Sequence, residues 1–113
     1  MAGIPGVLPP VGAIAVIFVA LRTDADEGGY GEAAGRMVAL AEAQPGYLGI
    51  DSVRDGDGLG ITVSWWADEA SARAWKANAE HAAVREMGRE RWYTHYRLIV
   101  ANVNRAYRWS KDG

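Results

Sequence analysis

The sequence predicts an α+β fold, a ferredoxin-like βαββαβ chain that forms one four-stranded antiparallel sheet with both helices on one face. Three observations predict it. Four stretches carry strand patterns and two carry helical periodicity. They follow one another as strand, helix, strand, strand, helix, strand, the split βαβ order. The chain has 113 residues, half of them apolar, which suits one domain around one core.

The first ten residues hold three of the four prolines, two glycines and no charge, so residues 1–11 read as an irregular arm ahead of a single domain over 12–113. Gly12 to Arg22 is rich in Ile and Val, and its apolar residues fall on both faces, as in a strand buried on each side. Gly28-Gly29 breaks the chain, and from Tyr30 to Ala43 the residues Tyr30, Ala33, Met37, Leu40 and Ala41 recur at helical spacing until Pro45-Gly46 ends the helix. Tyr47–Arg54 and Leu59–Trp66 are strands joined by the turn Asp55-Gly-Asp-Gly58, where glycine supplies the backbone angles a hairpin needs. On the second of them Leu59, Ile61, Val63 and Trp65 share one face, and Gly60, Thr62, Ser64 and Trp66 the other. Asp68 caps a second helix with Ala72, Trp75 and Ala79 on its apolar side. A break near Gly88 precedes a last strand from about His95 to Trp109.

Two helices on one face leave the other uncovered, yet the first strand is apolar on both sides, with Val16, Phe18 and Ala20 on one and Ile17, Val19 and Leu21 on the other. Pairing with a second copy, the two sheets closing into a dimeric α+β barrel, removes that face from water. A homodimer is therefore expected.

Composition excludes several classes of function. Twelve basic and 14 acidic residues give a net charge of -2 with no basic stripe, which argues against nucleic acid. There is no cysteine, hence no disulfide, thiolate metal site or cysteine nucleophile. The apolar run Val11–Leu21 is shorter than the ~20 residues that cross a bilayer. No basic residue precedes it and no cleavage site follows, so a cytoplasmic protein without a membrane segment is expected. Phosphate-binding loops, dinucleotide fingerprints and metal-ligand spacings are absent; Asp55-Gly-Asp57-Gly lacks the later ligands of a calcium loop.

Five Trp and five Tyr against one Phe make an aromatic set with polar handles, and three neighbourhoods use it. In the first, Trp66 closes a strand and Trp75 follows on a helix, with Asn78 and His81 beyond; a histidine beside an indole can take a phenol's proton and hold the anion. Trp75 equally packs a core, and on an ideal helix His81 lies roughly 120° from it, so the two converge only if the helix breaks. The second, Arg89 to Arg97, is dense in basic and aromatic residues and fits a pocket mouth or a dimer rim. The third, Asn102–Trp109, mixes polarity on both faces, as in a strand that runs past its own sheet toward a partner.

The strand Ile61-Thr-Val-Ser-Trp-Trp66, the turn Ala67-Asp-Glu-Ala70 and the helix Ala74-Trp75-Lys76 through His81 resemble the central signature of antibiotic biosynthesis monooxygenase domains. By element order the resemblance runs from about Ala13 to Tyr107. It implies a dimeric α+β barrel whose best-known enzymes oxidise aromatic polyketides with molecular oxygen as co-substrate and no metal or flavin. It also implies a pocket between sheet and helices. Haem-degrading relatives use a first-strand Asn with a Trp and a His on the second helix. Trp75 matches that Trp, but Leu21 stands at the Asn position and Arg85 near the His position. The resemblance therefore argues against haem.

The expectation is a cofactor-independent monooxygenase for a hydrophobic aromatic or polyketide-like molecule. His81 and Trp75 would be catalytic, with Val19, Leu21, Trp66, Asn78 and Trp92 binding substrate. The alternative is a non-catalytic dimeric module that binds a small molecule or another protein on the same fold.

Overall fold

The computed structural model describes residues 6–23, 27–85 and 93–111, the side chains at 27–34, 79–85, 93 and 94 excepted. Its elements are β1 (Ile14–Arg22), α1 (Glu27–Glu42), β2 (Tyr47–Arg54), β3 (Leu59–Trp66), α2 (Glu69–Arg85) and β4 (Tyr93–Asn102). The strands form one antiparallel sheet in the order β2-β3-β1-β4. The most apolar strand thus takes a central position, where both neighbours satisfy its backbone.

The register decides what each face carries. Ile14 sits opposite Trp66 and Asn102, Val16 opposite Ser64 and Val100, Phe18 opposite Thr62 and Leu98, and Ala20 opposite Gly60 and Tyr96. Opposed residues share a face, so these form one side of the sheet. Helix residues Ala41, Ala72 and Trp75 pack with Ile14, Val16 and Trp66 into the buried core, with Met37, Leu40 and Tyr47 against it. The other side carries Ala15, Ile17, Val19 and Leu21 beside Trp65, Val63, Ile61 and Leu59. Ile61, Ile99, Leu59 and Val53 are exposed there.

Three boundaries differ from expectation. Gly28 and Gly29 lie within the first turn of α1 instead of breaking the chain before it. Amides there have no intrahelical partner, so glycine forfeits less than in a helix interior. β1 starts at Ile14, because Gly12 takes a left-handed turn (φ 92°). β4 ends at Asn102 instead of Trp109: Val103 exchanges its backbone bonds with Gly12 and Ala13, and β1 offers nothing further to pair with. Residues 104–110 continue outside the sheet, with Tyr107 and Trp109 88% and 76% exposed. The break expected near Gly88 lies outside the described residues.

The hairpin turn forms as expected. Asp55 Oδ1 accepts from the amides of Asp57 and Leu59 at 2.9 and 3.0 Å, and Gly58 adopts φ 94°. At the opposite end of β2, Gly46 (φ 81°) packs so closely on Ser71 that a Cβ would overlap the Ser71 side chain. Its carbonyl accepts from Ala67 at 2.8 Å, joining the α1–β2 turn to the start of α2.

Candidate functional site

The site is built outward from Trp66. β3 turns into α2 directly after it, and Asp68 fixes the turn by accepting from the Ser71 amide at 2.7 Å. That bond satisfies one of the free first-turn amides and holds the Asp68 carboxyl below its usual range. The helix entered this way carries Trp75 back over the sheet, where its ring stacks on Trp66 with centroids 5.5 Å apart and planes 22° apart. Tyr47 meets Trp66 edge-on at 5.7 Å. Burial, then the carboxylates of Glu42 and Asp51, push the Tyr47 phenol up.

Trp66 has no exposed surface, so its indole N–H needs an internal acceptor. Ser64 Oγ provides it at 2.9 Å, and the hydroxyl faces the Val16 carbonyl at 3.5 Å. Trp66 is therefore dry and satisfied, and with Trp75 it forms an end wall of the layer between sheet and helices. Farther along the same face Phe18 and Tyr96 pack at 5.4 Å with rings tilted by 42°. Leu98 and Val100, on that side of β4, are 36% and 49% exposed.

The residues expected to form the site divide into groups. Trp66 and Trp75 meet. Asn78 is exposed and donates to Gln44 Oε1 at 3.1 Å, while Gln44 bonds the Leu40 carbonyl, so Asn78 links α2 to the end of α1. Val19 and Leu21 lie on the opposite face of the sheet from Trp66, because odd positions of β1 face away from the helices. His81 lies on α2, which runs unbroken from Glu69 to Arg85. At ~100° per residue its position is roughly 120° around the helix from Trp75. The His81 side chain and all of Trp92 fall outside the described residues. Tyr47, Ser64, Phe18 and Tyr96 were missed. Ser64 was visible as the residue two before Trp66 on the same face, whereas the others require the strand register.

A groove of about 550 Å³ lies away from the indole pair, lined by Pro9, Ala15, Trp65 and residues 102–106. Trp65 faces the open side and donates to Asp51 Oδ2 at 2.9 Å. Among the described residues, no group of three or more His, Asp or Glu could hold a metal ion. No helix there is long and apolar enough to cross a membrane.

The family model for antibiotic biosynthesis monooxygenase matches residues 13–87, from the start of the sheet to the end of α2. The chain belongs to the antibiotic biosynthesis monooxygenase family. Within its range of similarity, the uncharacterized protein YqjZ of Bacillus subtilis is 50% identical over 91 residues, covering 80% of this chain and 79% of YqjZ. Two solved structures share the fold of this family member at low identity. SnoaB of Streptomyces nogalater, a cofactor-independent oxygenase, matches as a mutant at TM-score 0.68 and 13% identity, over 84% of this chain and 96% of SnoaB. PA3566 of Pseudomonas aeruginosa matches at TM-score 0.65 and 18% identity, over 81% of this chain and 94% of that one.

Proposed function

We propose that this family member is an oxygenase that uses molecular oxygen, without metal, flavin or haem, on a hydrophobic aromatic or polyketide-like molecule held between helices and sheet. The observation that carries the reading is the aromatic lining of that layer: the Trp66–Trp75 stack with Tyr47 at one end, and the Phe18–Tyr96 pair with exposed Leu98 and Val100 farther on. Membership in the family and the shared fold with SnoaB support it. Oxidation by this route asks the protein to exclude water and hold the substrate's anion, which an apolar cleft with a few placed polar groups does. His81 is the proton acceptor in this reading.

The test is oxygen uptake with aromatic polyketides and quinols that raise the melting temperature. Uptake that disappears in His81→Ala supports the oxygenase and its base. Stabilisation without uptake favours the binding-module reading, for which the complete burial of Trp66 speaks, since a filled core needs no substrate to explain it.

A second copy is the proposed partner of the open face. Its apolar centre, Ile17, Val19, Ile61, Val63 and Ile99, needs a cover of matching character. The exposed tail beyond β4 adds Tyr107 and Trp109 flanked by Arg105, Arg108 and Lys111, and the β2–β3 hairpin presents Asp51, Asp55 and Asp57. Basic tail and acidic hairpin are complementary between two copies. The protein is proposed to act in the cytoplasm.

A further inference from the structure

We infer that the open face is directional: the N-terminal arm and C-terminal tail of each copy form a ledge over one end of it, and the bare hairpin end of a second copy packs against that ledge. The two sheets then stack with their strands reversed. The inference rests on the second-copy reading of the open face and adds which end of the partner meets which.

The sequence makes room for the arm with a glycine at 49. A Cβ built there would lie 2.8 Å from Val7 Cγ1 and 3.9 Å from Trp65 Cδ1, so Val7 sits over the glycine, beside the indole, in space a side chain would take. Gly49 and Trp65 are paired and belong to the open side. One residue earlier, a Cβ on Gly6 would lie 3.0 Å from Asp51 Oδ1, and Asp51 pairs with Val63 on the same side. The arm thus crosses from β1 over β3 to β2, at the end where β1 starts and β3 finishes. The tail runs with it. The amides of Gly12 and Val103 bond the carbonyls of Val103 and Ala13 at 2.9 Å each, and Arg108 Nη2 donates to the Gly6 carbonyl at 3.4 Å. Val7, Leu8, Val11, Tyr107 and Trp109 are exposed along this ledge.

Val53, Leu59 and Ile61 lie at the other end of the face, where all three are exposed. Stacked sheets lie about 10 Å apart, a gap that the side chains of the two inner faces fill by interdigitating. Two ledges cannot share that gap at one end without holding the sheets apart. A two-fold axis running across the strands avoids this, because it sets each ledge over the partner's hairpin end and keeps β2 over β2. The partner's Val53 then meets Val7 above Gly49. The partner's Leu59 enters the groove of about 550 Å³ between Pro9, Ala15, Trp65 and residues 102–106. Charge points the same way: the ledge carries Arg105 and Lys111, and the hairpin carries Asp55 and Asp57, all exposed. Ledge over ledge would bring like charges together, whereas ledge over hairpin pairs opposite ones.

The chain has no cysteine, so one introduced thiol reports one position. Val7→Cys and Val53→Cys, both at exposed positions, are unfolded together in urea, refolded as a mixture and treated with a short bis-maleimide. Sedimentation of the natural chain and of each variant is measured alongside, with circular dichroism to confirm the fold. Linking across a dimer is intramolecular, so the mixture should give covalent dimer about tenfold faster than either variant alone. Fast linking of Val7→Cys to itself, or a mixture no faster than the single variants, overturns the inferred direction and leaves the dimer standing. A monomeric natural chain removes the second-copy reading and the inference with it.

Discussion

Ser64 has one hydroxyl to satisfy the buried indole of Trp66, and little else about the residue matters to the core. Ser64→Ala should cost about 1–3 kcal/mol in urea unfolding, because the indole N–H is then left buried and unpaired. The same change made in a Trp66→Phe background should cost clearly less, and equal costs would show that the pair is not coupled. Gly46 is constrained differently, by its left-handed backbone and by Ser71 at its back. Gly46→Ala should lower stability by about 1–3 kcal/mol, and trimming Ser71 to Gly should recover only the steric part of that loss.

Among the elements, α2 depends most visibly on one group. Asp68 accepts the Ser71 amide, and its carboxyl is held below the ordinary 3.8. A lowered folded-state value means that the stabilisation is present above 3.8 and lost as pH falls through the folded value. Asp68→Asn keeps an acceptor but not the charge, so stability should become flatter across that acid range, as read by chemical denaturation at a series of pH values. That cap was legible in the sequence, as were β2, β3 and the Asp55 turn, because each is written in residues a few positions apart. The end of β4 was not: Asn102 to Trp109 alternates well enough for a strand, and only the start of β1 at Ile14 removes its partner. The site divides along the same line. Trp66 and Trp75 are linked by a short turn and were found together, whereas Val19 and Leu21 were grouped with them despite opposite parity, which becomes clear only when Ile14 is seen opposite Trp66.

For the whole molecule, the open face decides the assembly. Ile61→Glu places a charge at its apolar centre, on a residue already 41% exposed in the single chain. Sedimentation should show a dimer for the natural sequence and a monomer for the variant, with circular dichroism unchanged; a monomer in both cases would mean that a second copy does not cover this face. The pairing of Ile14 with Asn102 has a separate bearing on biosynthesis. β1 is synthesised before both of its neighbours, β3 and β4, so its apolar edge toward β4 stays open until β4 has been made. The β2–β3 hairpin, closed by a local turn, can form on the nascent chain long before. A transcript cut short before β4 would release a chain whose central strand has a free edge, a substrate for chaperones or proteases rather than a partly working protein.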